Sequence, residues 1–109
     1  MVIQAESAET LRNVDAILHV PGLDAVLIGP YDLSASLGQP GDMEHAEVHQ
    51  TITRIKQACQ DAMMALCIFG LTAEVVRPYV AQGFRLIDVG VDTVLLGQAA
   101  KALLAEVKE

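Results

Sequence analysis

Two apolar runs, Ala25-Val26-Leu27-Ile28-Gly29-Pro30-Tyr31-Asp32 and Val2-Ile3-Gln4-Ala5-Glu6, decide the fold class of this chain. Both are short and mainly apolar rather than strictly alternating, as buried parallel strands are, and one helix-length segment separates them. Each run ends in an acid. Because the carboxyl ends of parallel strands open onto one face of an α/β fold, Glu6 and Asp32 are expected to converge there. Two carboxylates placed in this way predict a divalent-metal site.

The alternation of strand and helix continues to the end of the chain. Strands are predicted at about residues 2–6, 25–29, 64–69 and 86–90, and helices at about 8–19, 45–62, 72–82 and 93–108. The pattern therefore predicts an α/β fold of four βα units with parallel strands.

Residues that start and stop helices support this pattern. Ser7, Thr72 and Asp92 stand where side chains cap helix N-termini, and Gly22 and Gly83 follow helices. The long loop that connects the second strand to the following helix, residues 29–42, is expected to hold a short helical turn around residues 33–37.

The length of the chain, 109 residues, corresponds to one domain without an internal linker. Four βα units are half of a closed (β/α)8 barrel, which needs roughly 250 residues, and an open half leaves two strand edges unpaired. We therefore expect either a fragment or a chain that completes itself by association.

Composition excludes several functional classes. Seven Lys and Arg against fourteen Asp and Glu give a net charge of −7, which leaves no basic surface for nucleic acid or for an anionic membrane. No apolar run is long enough for a membrane span and no signal peptide is apparent, so a cytosolic location is expected. Cys59 and Cys67 are predicted to be reduced and buried.

Three segments carry a resemblance to a known family, at closely matching spacing. Ile3-Gln4-Ala5-Glu6-Ser7, Ile28-Gly29-Pro30-Tyr31-Asp32-Leu33-Ser34 and Val89-Gly90-Val91-Asp92-Thr93-Val94-Leu95-Leu96 resemble the HpcH/HpaI aldolase/citrate lyase family over essentially the whole chain. The Gly-Pro-x-Asp-Leu-Ser element is the most specific of these. The resemblance implies that residues 1–109 are the C-terminal half of a TIM barrel of the phosphoenolpyruvate/pyruvate type.

The same resemblance implies a class II aldolase that cleaves a 4-hydroxy-2-oxo acid to pyruvate and an aldehyde, of the 4-hydroxy-2-oxoheptanedioate type. Glu6 and Asp32 would bind Mg²⁺, Mn²⁺ or Co²⁺. Gln4 would lie near the oxo acid, and the backbone amides of Tyr31 and Asp32 would hold its carboxylate. Many relatives carry a small residue at the position of Tyr31.

Cleavage also needs a base for the 4-hydroxyl group, and the enolate benefits from a fixed cation. In the family a His and an Arg from the first half of the barrel fill these roles, so no catalytic residue is identified in this chain. We expect little aldolase activity from the chain alone.

Other residues receive weaker assignments. Phe69 ends the third strand and is a candidate wall of the substrate pocket, whereas His45 and His49 are predicted to be surface residues and His19 a structural one. Asp92 is interpreted as the cap of the last helix, although a strand end could also place it on the active face.

The last helix carries a wide apolar stripe, with Val94, Leu95, Leu96 and Leu103 among its residues. The stripe predicts a homo-oligomer or association with the missing half of the barrel. Two alternatives remain open: a citrate lyase β-like acyl-CoA lyase, and a catalytically incomplete metal-binding or structural fragment. Neither alternative involves nucleic acid or a membrane.

Overall fold

Four parallel strands form one sheet in which the strands lie side by side in chain order. In the computed structural model, which describes residues 1–109, they are β1 (Val2–Ala5), β2 (Ala25–Ile28), β3 (Ala65–Gly70) and β4 (Leu86–Val89). The four predicted strands are confirmed. β1 and β4 are the edges of this open sheet.

Five helices connect and follow the strands: α1 (Ala8–Ile17), α2 (Pro30–Ser36), α3 (Ala46–Asp61), α4 (Ala73–Ala81) and α5 (Asp92–Lys108). The four long helices were predicted, although α1 ends about two residues early. None of the five is both long and apolar enough to cross a membrane.

The short helix α2 differs most from the prediction, because it begins at Pro30 rather than near Leu33. Proline fixes φ at a helical value and lacks the amide hydrogen that would go unpaired in the first turn, so it favours the first helical position. The amide of Leu33 donates to the carbonyl of Gly29 at 3.0 Å and closes that turn.

Two of the three predicted N-terminal caps are confirmed. Ser7 Oγ accepts from the amide of Thr10 at 3.2 Å, and the hydroxyl of Thr72 accepts from the amide of Val75 at 3.4 Å. The third was wrong: the chain leaves β4 through Gly90, at φ +86°, and Val91 is the last extended residue and the N-cap of α5. Asp92 is thus the first helical residue rather than the cap.

The two faces of the sheet have different surroundings. On one, which we call the helix face, Ala5, Ile28, Ile68 and Ile87 are aligned across the four strands, and the first three are fully buried within a cluster of fourteen core residues. The helices α1, α3 and α4 contribute to this cluster. The opposite side, the open face, carries the alternate residues of each strand.

On the open face the strand register aligns Gln4, Leu27, Cys67 and Leu86. Gln4 and Leu86 are exposed, and Cys67, although buried, lies outside the main core cluster. In a closed barrel this face would line the interior.

Helix α5 extends the chain to a longest dimension of 57 Å, and none of its residues is buried. Leu95, Leu96 and Leu103 are more than half exposed. The apolar stripe predicted from the sequence therefore has no cover within this chain.

Candidate metal and oxo-acid site

The two acids that end the first apolar runs lie on either side of Gly29, where β2 meets α2. A Cβ atom built on Gly29 would lie 3.5 Å from Oε2 of Glu6 and 3.8 Å from Oδ2 of Asp32. Both carboxylates therefore border one small space that a side chain at position 29 would fill. This is the convergence that the strand ends predict.

Glu6 reaches this space from the segment between β1 and α1. It is half-buried, and the cap at Ser7 starts α1 directly after it. The amide of Ala8 donates to Ser36 Oγ at 2.9 Å, which joins the start of α1 to the end of α2. The segments that carry Glu6 and Asp32 are thus held together by a hydrogen bond.

The donor set suits a hard divalent cation such as Mg²⁺ or Mn²⁺. No three His, Cys, Asp or Glu side chains cluster closely enough to hold a metal by themselves. Two carboxylates would leave most positions of a six-coordinate ion to water or to substrate oxygens.

The first turn of α2 presents backbone amides at the same place. The first intrahelical bond of α2 is donated by Leu33, so the amides of Tyr31 and Asp32 precede it and have no carbonyl partner within the helix. Asp32 lies in this first turn and is exposed.

Ser34 fixes this turn, a role that the sequence alone did not suggest. Its fully buried hydroxyl donates to the carbonyl of Tyr31 at 2.6 Å and accepts from the amide of Gly41 at 3.1 Å. Its own carbonyl accepts from the amide of Gln39 at 2.8 Å. These bonds tie α2 to the loop that follows it.

A cleft of about 460 Å³ opens beside Asp32, between the carboxyl ends of β2 and β3 and the start of α4. Its lining is mostly apolar and comprises Gly29, Pro30, Tyr31, Asp32, Met43, Phe69, Gly70, Leu71, Thr72, Val75 and Val91. The structure thus brings together three of the predicted site residues, Tyr31, Asp32 and Phe69. Glu6 borders this group at Gly29, and Gln4 lies outside the cleft on the open face.

Asp88 is an open-face acid that sequence reasoning missed. It pairs in register with Phe69 and is exposed. The available signal was the alternation along β4, which puts Leu86 and Asp88 on the same side. Two strand spacings, roughly 10 Å, separate β4 from β2, so Asp88 adds negative charge to the open face without joining Glu6 and Asp32.

The three histidines lie outside the site. His19 Nδ1 bonds to the carbonyl of Asp15 at 2.6 Å, just past the end of α1, which suits the structural role expected of it. His45 caps α3 by accepting from the amide of Glu47 at 3.3 Å, and His49 Nε2 lies 3.4 Å from Glu44 Oε2. None of them reaches the Gly29 space.

Both cysteines are free and buried, as expected. Burial raises the pKa of the Cys59 thiol to about 11. Burial also raises the pKa of Cys67, and a hydrogen bond with the backbone of Leu86 lowers it by a smaller amount. Both thiols are therefore inert at neutral pH.

Parallel βα units with acids at their carboxyl ends are the units of which (β/α) barrel enzymes are built. The family model of the HpcH/HpaI aldolase/citrate lyase family matches residues 1–99. The chain belongs to this family, and the predictions of family and fold class are confirmed.

Three relatives illustrate the match. The chain is 41% identical over 108 residues to a 2-keto-3-deoxy-L-rhamnonate aldolase of Klebsiella pneumoniae, covering 99% of this chain and 40% of that protein. It is 39% identical over 105 residues to a 4-hydroxy-2-oxo-heptane-1,7-dioate aldolase of the same organism, covering 96% and 40%. A solved HpcH/HpaI family protein from Burkholderia cenocepacia superposes with a TM-score of 0.91 at 37% identity, covering 99% and 42%.

The chain thus spans about two fifths of the length of the curated relatives it matches. That these residues are the C-terminal half of a barrel stays a prediction.

Proposed function

We propose that this chain carries the metal-binding and oxo-acid-binding part of a divalent-metal-dependent aldolase, which cleaves a 4-hydroxy-2-oxo acid to pyruvate and an aldehyde. The observation that carries the proposal is the space beside Gly29, which the carboxylates of Glu6 and Asp32 border together. Membership of a family of aldolases and lyases supports the reaction class.

Each residue of the site has a separate task in this proposal. Glu6 and Asp32 hold Mg²⁺, Mn²⁺ or Co²⁺, and the amides of Tyr31 and Asp32 bind the substrate carboxylate. Gln4 lies on the open face of β1, two residues before Glu6. We assign its side-chain amide to contact with the oxo acid. When bound, the cation would offset the negative charge that develops on the 2-oxo oxygen during carbon–carbon cleavage.

The chain lacks a group to remove the proton of the 4-hydroxyl. Its three histidines are occupied at helix ends away from the site, and no Lys or Arg lines the cleft. The base and the fixed cation are therefore proposed to come from the rest of the barrel.

The open edges β1 and β4, the open face and the uncovered helix α5 are the surfaces available for this association. A partner that completed the barrel would pair with the two edges and cover the open face. We propose association with the missing barrel half, or in a homo-oligomer, as the state in which the hydroxy acid is cleaved.

Oxaloacetate provides a direct test, because its loss of CO₂ leaves the enolate of pyruvate without any need for a hydroxyl base. Pyruvate release would be measured with Mn²⁺ and either oxaloacetate or a 4-hydroxy-2-oxo acid as substrate. We expect release from oxaloacetate above the rate of Mn²⁺ alone, and little release from the hydroxy acid.

Glu6→Gln and Asp32→Asn keep the size of each side chain but remove its charge, and both are expected to lower release to the rate of Mn²⁺ alone. Wild type that is folded and yet no faster than free Mn²⁺ would contradict the proposal and favour a structural fragment.

A further inference from the structure

The cleft beside Asp32 is larger than a metal ion held between Glu6 and Asp32 would need. Its volume of about 460 Å³ falls within the range of roughly 300–1,000 Å³ that is common for small-molecule sites. Besides Tyr31 and Asp32, its lining includes the apolar side chains of Phe69, Leu71 and Val75. A substrate whose carboxylate and 2-oxo group sit at Asp32 can therefore extend its remaining carbons along this wall.

The wall carries negative charge but no positive charge. Of its eleven residues, Asp32 is the only one with a carboxylate, and none is a Lys, Arg or His. Glu74, in the first turn of α4, and Asp88, on the open face, add further negative charge nearby. A second carboxylate on the substrate would find no cation in this wall.

The cations of the chain lie elsewhere. Arg54 on α3 faces Asp15 on α1 at 3.5 Å, and Lys56 donates to Gln82 at 2.9 Å, both on the helix-covered side. Arg85 precedes β4, and its amide bonds to Leu66, at the end of the sheet opposite the cleft. The other four are on α1, α4 and α5, and none lines the cleft.

Two features of the wall would favour an anion, namely the N-termini of α4 at Thr72 and of α5 at Val91. Both are already compensated within the chain. At α4, the hydroxyl of Thr72 accepts from the amide of Val75, and Glu74 places a carboxylate in the first turn. At α5, Asp92 places a carboxylate in the first turn, and its Oδ1 accepts from the amide of the next residue at 2.7 Å. The wall therefore suits an uncharged aliphatic chain better than a second carboxylate.

We infer that the cleft selects an uncharged, apolar substrate chain, so that the aldehyde released lacks a second carboxylate. The inference rests on the proposed function. It departs from the heptanedioate type expected from the resemblance, because a dioate would place its distal carboxylate against Phe69 and Leu71.

The test uses three 2-oxo acids that share one chelating head and differ only in the tail, with oxalate as a chelating reference that has no tail. Calorimetry of the Mn²⁺-loaded chain would compare oxalate, 2-oxobutyrate, 2-oxohexanoate and 2-oxoadipate, of which the last two have six carbons each. Burial of one methylene changes affinity about fourfold, so 2-oxohexanoate, with two more methylenes, is expected to bind about 15-fold tighter than 2-oxobutyrate. We expect 2-oxoadipate to bind at least tenfold more weakly than 2-oxohexanoate.

A variant that introduces a positive charge into the cleft sharpens the test. Leu71→Arg places a cation in the cleft at a residue that is 52% exposed, and it is expected to remove or reverse the preference against 2-oxoadipate. Val80→Arg makes the same change in net charge on α4, at a residue that is 57% exposed and outside the cleft. It should leave the preference of the wild type unchanged.

The outcomes separate the two proposals. Tight binding of oxalate and 2-oxobutyrate, with 2-oxoadipate equal to or tighter than 2-oxohexanoate, would overturn the apolar selection and leave the metal site intact. An equal effect of Leu71→Arg and Val80→Arg would also overturn it. If no acid, oxalate included, binds to the Mn²⁺-loaded chain, both proposals fail.

Discussion

The helix face and the open face of the same four strands differ in what covers them. On the helix face, Ala5, Ile28 and Ile68 are completely buried beneath helices of this chain. On the open face, Gln4, Leu86 and Asp88 remain exposed. The carboxylates of Glu6 and Asp32 lie beside Gly29, at the carboxyl ends of the strands. One face therefore holds the buried core of the chain, while the other is left open for the ligand and the cover that we propose.

The largest contrast between the faces is expected for matched truncations in neighbouring strands. Ile68→Ala on the helix face removes a side chain of 0% exposure and should cost about 2–5 kcal/mol in the free energy of unfolding. Leu86→Ala on the open face, where the side chain is 54% exposed, should cost less than about 1 kcal/mol. Urea denaturation measures both, and equal losses would show that the open face is covered in solution.

A second contrast concerns the close approach of α4 to the sheet. A Cβ at Gly70 would come within 2.5 Å of Val76 Cγ1, so Gly70→Ala should destabilise the chain by about 1–3 kcal/mol. Gly97, on the uncovered helix α5, meets no atom within 4 Å. Gly97→Ala should therefore stabilise α5 by about 1 kcal/mol, measured as slower amide exchange in that helix. A neutral Gly70→Ala would disprove the tight packing at this strand end.

The turn that presents Asp32 can be tested through two serines. Ser34→Ala removes the two hydrogen bonds of a fully buried hydroxyl, to the carbonyl of Tyr31 and from the amide of Gly41, and should cost about 1–3 kcal/mol, with weaker binding of oxalate to the Mn²⁺-loaded chain. Ser36→Ala removes an exposed bond to Ala8 and should cost less, about 1 kcal/mol. If both variants bind oxalate like wild type, Ser34 does not position the site.

The smallest effect depends on pH. Because the folded pKa of Cys59 is raised to about 11, the folded state keeps a proton that the unfolded state loses near pH 9. Stability should therefore fall as pH rises from 9 towards 11, by at most about 1.4 kcal/mol at pH 10 relative to pH 8. Denaturation of wild type and of Cys59→Ala at both pH values isolates the contribution of Cys59 to this loss of stability. A loss of equal size in both proteins would show that other groups cause it.

Much of this architecture could be predicted from apolar runs and helix-terminal residues. The four strands and the helices that connect them follow from patterns that are local in sequence. The start of α2 at Pro30 was missed because Gly-Pro is typical of a loop as well as of a helix start. Asp92 was misplaced by one residue because Gly90 turns the chain.

The site was predictable only in outline. Strand ends indicate that Glu6 and Asp32 meet, but the space between them depends on the missing side chain of Gly29 and on distances across strands. The roles of Ser34 and of Asp88 likewise follow from contacts and register that sequence spacing does not contain. Long-range geometry, rather than residue type, was the missing information.

The most direct test of the site is a calorimetric titration of the chain with Mn²⁺, with and without oxalate as a mimic of the pyruvate enolate. We expect oxalate to tighten Mn²⁺ binding in wild type, and both Glu6→Ala and Asp32→Ala to abolish it. Asp88→Ala is the control, because it removes one acid from the open face and changes the net charge by the same amount. It should bind Mn²⁺ as wild type does. A folded wild type that binds no Mn²⁺, or an Asp88→Ala that loses as much affinity as the other two, would contradict a metal site at Gly29.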